Sequence, residues 1–289
     1  MTDKTTNRST TTAHAAALKL PGALPKTSVS ESKKPYTLDF VSEARKYFNN
    51  FHMIMGGDHS AYYTQHMSEF LVHGVAMPDG PVRELPREIS PDLGKTTYLA
   101  GDGKESLTLD DYINNGERRV QGAMIVHKGK VVYENYFGLV PYHAHSLASV
   151  TKTFNGLMCA MAEEDGKIDM SKPASAYAEE LAGTEWDNVP LLDVVNMRCG
   201  LDISETQKAN DDPASMFNRM MAADCGSKNY KGVVENSVNV LKEAKPLPGE
   251  KVGECARYSS VAAKVICMAV EAATNQPLMQ YIEERVWTN

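Results

Sequence analysis

The sequence has no basic cluster and no long apolar run. Its 289 residues include 37 acidic and 30 basic side chains, which give a formal net charge of −7. Because a nucleic-acid site needs clustered lysine and arginine to neutralise phosphates, we expect no nucleic-acid partner. The longest apolar stretches, such as residues 262–273, are shorter than the roughly 20 residues that span a bilayer, so we expect no membrane partner.

Cysteine is also scarce in this chain. There are five cysteines, an odd number, and no two of them form a C-x-x-C pair. This pattern predicts neither a disulfide framework nor a zinc site. Residues 1–12 are rich in threonine and serine and lack the basic start and apolar middle of a secretory signal. We therefore expect a cytoplasmic protein that uses no metal and no cofactor.

The overall composition is that of a globular protein with an N-terminal part that is hard to interpret. An apolar fraction of 42% is sufficient for a sizeable core. Residues 1–35 mix Thr, Ser, Lys and Pro without apolar periodicity, so we expect a disordered tail. Residues 36–121 are predicted to be an N-terminal extension, with a helix over 38–51 and a loop over 78–91. Residues 122–289 are predicted to form the functional domain.

A hairpin and four helices are predicted within that domain. Residues typical of strands at 122–127 and 130–137 flank the tight turn Lys128-Gly129. Apolar side chains then recur at helical spacing over 149–165. Further helices are predicted over 190–197, 259–274 and 277–287.

The most informative motif is S-x-x-K at the start of the helix over 149–165. Ser149 and Lys152 are three residues apart, which places the hydroxyl and the amine on one face of a helix, one turn apart. A serine hydroxyl is a poor nucleophile at neutral pH, and a neighbouring amine can take its proton. The helix N-terminus adds backbone N–H groups where an oxyanion would develop. The pattern indicates Ser149 as nucleophile and Lys152 as its activating partner.

The S-x-x-K motif also has a structural interpretation without catalysis. An isolated S-x-x-K motif is more often a helix-capping serine followed by a surface lysine.

Four histidines at every seventh position suggest a metal site: His52, His59, His66 and His73. Seven residues of helix rise roughly 10 Å, too far for successive imidazoles to share one ion, so we interpret them as ordinary histidines.

The order of the motifs around Ser149 resembles the serine β-lactamase, penicillin-binding protein and carboxylesterase superfamily. After the helix comes the turn over residues 164–169, and then a helix and turn over 192–201, in which Cys199 stands where the family usually has Ser before Gly. Pro248-Gly249-Glu250 and Tyr258-Ser259-Ser260 resemble the second, tyrosine-containing motif of class C β-lactamases and related esterases. Three features are most similar to the 6-aminohexanoate-dimer hydrolase and esterase branch: the turn that contains Met197, the acidic residue Glu205 and the segment over 277–287.

This resemblance implies an α/β sandwich of the β-lactamase/transpeptidase type, with an antiparallel sheet and an inserted helical subdomain. It implies Ser149, Lys152 and Tyr258 as catalytic residues. Tyr258 would act as base toward Ser149 and as acid toward the leaving group, because a phenol near a lysine ammonium releases its proton more readily. The implied substrate is a small molecule with an ester or amide bond, and a homo-oligomer is possible.

Two rival functions remain open at this stage. An acyltransferase of the same fold would pass the acyl group to an alcohol or amine instead of water. A non-catalytic homologue would hold ligands without turnover.

The resemblance also leads us to expect a chain that is incomplete at its C-terminus. The family has a third motif, Lys or His followed by a small residue and glycine, on a strand after the tyrosine. Gly253 is the last glycine of the sequence, and residues 259–289 are predicted to be helical. We therefore expect the C-terminal strands to be missing, or to be supplied by another chain, and the sheet to have an unpaired edge.

Overall fold

Helices and short antiparallel strands make up the regular structure of the residues that the computed structural model describes. These residues are 33–50, 53, 58–77, 80–81, 84–99, 103, 106–118 and 120–288. The helices among them are α1 (Leu38–Tyr47), α2 (Asp58–Gln65), α3 (Leu109–Ile113), α4 (Thr151–Glu164), α5 (Leu191–Val195), α6 (Gln207–Asp211), α7 (Met216–Asp224), α8 (Ser237–Leu241), α9 (Ser260–Thr274) and α10 (Leu278–Ile282). The strands are β1 (Thr97–Leu99), β2 (Ser106–Thr108), β3 (Ala123–His127) and β4 (Lys130–Asn135).

The hairpin β3–β4 forms where the sequence predicted it. Its two-residue turn has φ of 50° at Lys128 and 76° at Gly129, and left-handed backbone at both positions matches the twist of paired strands. The outer edge of β4 is covered by an earlier segment, since the Val131 N–H donates to the Pro86 carbonyl at 2.8 Å. Among the described residues β3 has no strand partner besides β4. Met124 and Val126 of β3 are 46% and 47% exposed.

The main core lies around α9. Most of the apolar side chains of α9 are buried, and α9 packs on α4, α5 and α7. Several of the buried residues are alanine or valine, whose short side chains let helices approach closely. Trp186 is fully buried in this core and donates from Nε1 to the Leu241 carbonyl at 2.9 Å. The packing of α4 on α9 is the contact that builds the candidate site.

A second, aromatic cluster lies in the N-terminal part. Tyr63 is fully buried and donates a hydrogen bond from its hydroxyl to the Ala44 carbonyl at 2.5 Å, which joins α2 to α1. Burial raises the pKa of the Tyr63 phenol well above its usual range. Phe48 and Phe70 stack beside Tyr63 with ring centroids 4.6 Å apart. The cluster also reaches the loop that carries Ser149, because the Ser146 N–H donates to the Thr64 carbonyl at 2.6 Å.

Most predicted elements are present with shifted ends. The helix predicted over 38–51 was too long, because α1 ends at Tyr47 and the side chain of Asn49 donates to the Tyr47 carbonyl at 2.6 Å, in place of a further helical turn. The predicted helix over 277–287 consists of α10 followed by a π-helix, Glu283–Trp287. Helices α2, α3, α6 and α8 and the pair β1–β2 were not predicted. The predicted tail falls almost entirely outside the described residues.

Gly200 lies against the backbone of Lys251 and Val252, so its substitution is a test of the fold. Its φ is +61°, and a Cβ there would lie 2.7 Å from the Val252 backbone nitrogen. We predict that Gly200→Ala lowers the free energy of unfolding by about 3 kcal/mol or more, since two rigid backbone segments would have to separate. Gly166→Ala is the control, because Gly166 has φ +70° but nothing within 4 Å of the added Cβ. It should cost only about 1–2 kcal/mol. An equal decrease in the free energy of unfolding for the two variants, measured by urea unfolding, would contradict the prediction.

Candidate active site

Ser149 lies on a short, strained turn that leads into α4. It occupies the 3₁₀ turn Ala148–Val150, and its side chain is exposed. Ala148 has φ of 44°, a left-handed conformation that costs a non-glycine residue roughly 1–2 kcal/mol. The Ala148 N–H donates to Ser146 Oγ at 3.2 Å, which helps to hold the turn. The loop therefore presents the Ser149 hydroxyl to solvent at a helix start.

Lys152 lies between two serine hydroxyls. Its Nζ is 3.0 Å from Ser149 Oγ and 2.9 Å from Ser260 Oγ, donating a hydrogen bond to each. The first contact follows from helical spacing, since the two residues are three apart. The second joins α4 to the start of α9, 108 residues later in the chain. Lys152 is thus held in place by a local contact and by a distant one.

Tyr258 completes the group of predicted site residues, but it contacts Lys152 through its ring. The Lys152 Nζ lies over the ring, 4.8 Å from its centroid, a geometry in which an ammonium is attracted to the aromatic face. The side chain is 48% exposed. The structure thus brings Ser149, Lys152 and Tyr258 together, and no hydrogen bond from the Tyr258 hydroxyl is found among the described residues.

Ser260 was not predicted to be a site residue, and the fold shows how it becomes one. The preceding residue, Ser259, caps α9: its Oγ accepts from the Ala262 N–H at 3.2 Å and donates to the Ile203 carbonyl at 2.7 Å. Because the Ser259 hydroxyl caps the first turn of α9, the Ser260 hydroxyl is not needed as a cap and can face Lys152. The signal in the sequence was the third position of Tyr258-Ser259-Ser260.

Cys199, which departs from the expected Ser-Gly turn, is buried. Its exposed fraction is 4%, and its Sγ lies 4.0 Å from the Asp193 carbonyl oxygen. Burial raises the pKa of the Cys199 thiol to about 12. A thiol that stays protonated is a poor nucleophile. Cys199 therefore does not compete with Ser149 for that role.

Metal ligands are not grouped near this site. Within the residues that the structure describes, no cluster of His, Cys, Asp and Glu could hold an ion. His66 and His73 each contact a backbone carbonyl through Nδ1, at 2.9 Å in both cases.

Among the residues that the structure describes, none of the helices has the length and apolar character needed to span a membrane.

The two adjacent serines provide a matched pair of variants. We predict that Ser260→Ala slows the reaction of Ser149 with a fluorophosphonate by about tenfold, because Lys152 loses one of its two hydroxyl contacts. The melting temperature of Ser260→Ala should differ little from that of the unsubstituted protein. Ser259→Ala should instead lower the free energy of unfolding by about 1–2 kcal/mol through loss of the helix cap. Intact-mass kinetics and urea unfolding would measure the two effects, and an unchanged labelling rate in Ser260→Ala would contradict this role for Ser260.

Comparison with known proteins identifies the family of the chain. A 6-aminohexanoate-dimer hydrolase of Paenarthrobacter ureafaciens is 32% identical over 109 residues, 37% of this chain and 27% of that protein. A Providencia stuartii beta-lactamase is 22% identical over 142 residues, 48% of this chain and 30% of that protein.

The solved structure of a Bacillus anthracis protein assigned as a 6-aminohexanoate-dimer hydrolase shares the fold. Its TM-score is 0.64 at 21% identity, over 79% of this chain and 58% of that one. The chain thus spans less than two thirds of the length of each of these relatives. The similarity confirms the predicted β-lactamase/transpeptidase-like fold. Residues 101–289, well over half of the chain, match the family described as Beta-lactamase, and the protein belongs to that family.

Proposed function

We propose that this protein is a serine hydrolase that cleaves an ester or amide bond of a small molecule through an acyl-enzyme on Ser149. The observation that carries the proposal is the 3.0 Å contact between Lys152 Nζ and Ser149 Oγ on an exposed helix start. Relatives named as a hydrolase and a beta-lactamase support a hydrolytic reaction.

The proposed first half-reaction forms the acyl-enzyme. The Ser149 hydroxyl gives its proton to Lys152 in its unprotonated form, and Oγ attacks the substrate carbonyl carbon. The negative charge on the former carbonyl oxygen is stabilised by backbone N–H groups, including that of Ser149. The proton passes to the leaving alcohol or amine as the carbonyl re-forms. Ser149 is then esterified.

Ser260 and Tyr258 support the proton transfer in this proposal. The Ser260 hydroxyl fixes Lys152 Nζ beside Ser149 Oγ. Tyr258 lies against Lys152 and is half-exposed, so its side chain has room to turn its hydroxyl toward the leaving group. In the second half-reaction the same groups take a proton from water as its oxygen attacks the acyl carbon. The bond from the acyl carbon to Ser149 Oγ then breaks, the proton returns to Oγ, and the acid is released.

The rival functions differ in the step after acylation. An acyltransferase shares every step up to the acyl-enzyme and then passes the acyl group to an alcohol or amine. A ligand-binding homologue would not form the covalent adduct. Trapping the adduct separates the binding protein from both enzymes, and the products formed with and without an added alcohol separate the two enzymes.

Three further properties belong to this proposal. Residues 122–289 form the hydrolase domain and residues 36–121 an N-terminal extension. The cysteine pattern favours a cytoplasmic location. The exposed apolar side chains of β3 suit a contact with another chain, and a homo-oligomer is one such assembly.

The nucleophile is tested by Ser149→Ala. We predict that this variant gives no covalent adduct with a fluorophosphonate and loses ester hydrolysis by several orders of magnitude, since the attacking atom is removed. Ser171→Ala is the control, because Ser171 is exposed and its hydroxyl donates to the Asp169 carboxylate. This variant should form the adduct as the unsubstituted protein does. An adduct of full yield in Ser149→Ala, detected by intact mass, would show that another residue is the nucleophile.

The role of the phenol is tested by Tyr258→Phe. We predict that the variant keeps the melting temperature of the unsubstituted protein, because the ring is retained, and that its acylation slows by about tenfold or more. The rate is read from the burst of leaving group released by an activated ester. An unchanged burst rate would remove Tyr258 from the proton transfer and leave Lys152 as the base.

A further inference from the structure

The start of α9 is held by a neighbouring segment of the chain, residues 203–205. Two backbone groups and one side chain of this segment make hydrogen bonds to Tyr258, Ser259 and Ser260. The Ile203 carbonyl accepts from Ser259 Oγ at 2.7 Å. The Glu205 N–H donates to the Tyr258 carbonyl at 2.9 Å.

The third hydrogen bond comes from the Glu205 side chain. Its Oε1 accepts from the Ser260 N–H at 2.5 Å. Ser260 is the first residue of α9, and amides in a first helical turn have no partner within the helix. A carboxylate at this position also lies at the positive end of the helix dipole. Glu205 therefore bonds to the backbone on both sides of Ser259.

These contacts lead directly to the candidate nucleophile. Glu205 Oε1 fixes the Ser260 backbone, Ser260 Oγ contacts Lys152 Nζ, and Lys152 Nζ contacts Ser149 Oγ. The ring of Tyr258, whose carbonyl is also held by Glu205, covers the same amine. A shift of the backbone over residues 258–260 would move the Ser260 hydroxyl and the Tyr258 ring away from Lys152 at the same time.

We infer that Glu205 is a positioning residue of this site, which fixes Ser260 and Tyr258 against Lys152 through its carboxylate oxygen. The inference rests on the proposed function. Its working part is a hydrogen-bond acceptor, so a neutral amide oxygen at the same place should serve. A base or a substrate-binding charge at Glu205 would need the carboxylate itself, and the two roles predict different behaviour of glutamine.

The test compares Glu205→Ala, Glu205→Gln and the control Asp202→Ala. Asp202 is an exposed carboxylate in the same stretch, held by its backbone N–H to the Lys245 carbonyl at 2.9 Å, which alanine retains. The measurements are kcat and KM for a small activated ester, the acylation rate of Ser149, and hydrogen exchange of the Ser260 amide.

We expect Glu205→Ala to lower kcat by about tenfold or more with KM within about twofold, and to speed exchange of the Ser260 amide. Glu205→Gln should keep both the slow exchange and kcat within about threefold of the unsubstituted protein. Asp202→Ala should match the unsubstituted protein in all readouts.

Three results would count against these ideas, and they are separable. Unchanged acylation and unchanged Ser260 exchange in Glu205→Ala would overturn the inference. Activity lost equally in Glu205→Gln and Glu205→Ala, with slow exchange kept in Glu205→Gln, would replace positioning with a role for the charge. The third result combines two observations: the Ser260 amide exchanges faster only in Glu205→Ala, and Ser149 is not acylated in any variant or in the unsubstituted protein. It would support the hydrogen bond and overturn the proposed hydrolase function.

Discussion

The packing of α4 against α9 is the interaction on which the candidate site depends. Ser149 lies in the 3₁₀ turn just before α4, and Lys152 lies in the first turn of α4. Tyr258 lies two residues before α9, and Ser260 is its first residue. Because the two helices pack through short and apolar side chains, their N-terminal ends come together at one point of the surface. Asn155, which is buried on α4, donates from Nδ2 to the Ala263 carbonyl of α9 at 3.5 Å, so a polar contact also links the helices one turn below the site.

The site is built at helix starts for a physical reason. Backbone N–H groups in a first turn have no helical acceptors, so they are available to a developing negative charge or to capping side chains. At α9 these groups are occupied by Ser259 and Glu205, which makes this helix start rigid. At α4 the strained Ala148 and the exposed Ser149 leave the helix start open to solvent. One helix start is thus fixed and the other is accessible, an arrangement that suits a support and a nucleophile.

The sequence predicted the local parts of this protein well. The hairpin turn at Lys128-Gly129 and the helix after Ser149 follow from short-range rules, namely left-handed turn residues and apolar periodicity. The order of motifs predicted the family, which the match over residues 101–289 confirms. Local rules failed at the end of α1, where apolar periodicity runs on but the Asn49 side chain donates to the Tyr47 carbonyl. They also failed for α2 and α3, whose short apolar patterns are stabilised by tertiary contacts.

The sequence by itself determined that Ser149 and Lys152 would face the same way, because three residues of helix fix that geometry without any help from the rest of the chain. Which residues meet Lys152 from the other side was decided by tertiary structure alone. Ser260 and Glu205 carry no local signal of a shared role, since their separation of 55 residues lets the chain take many relative positions. Only the burial of α9 against α4, driven by apolar surface far from the site, brings the Ser260 hydroxyl to within 2.9 Å of the Lys152 amine.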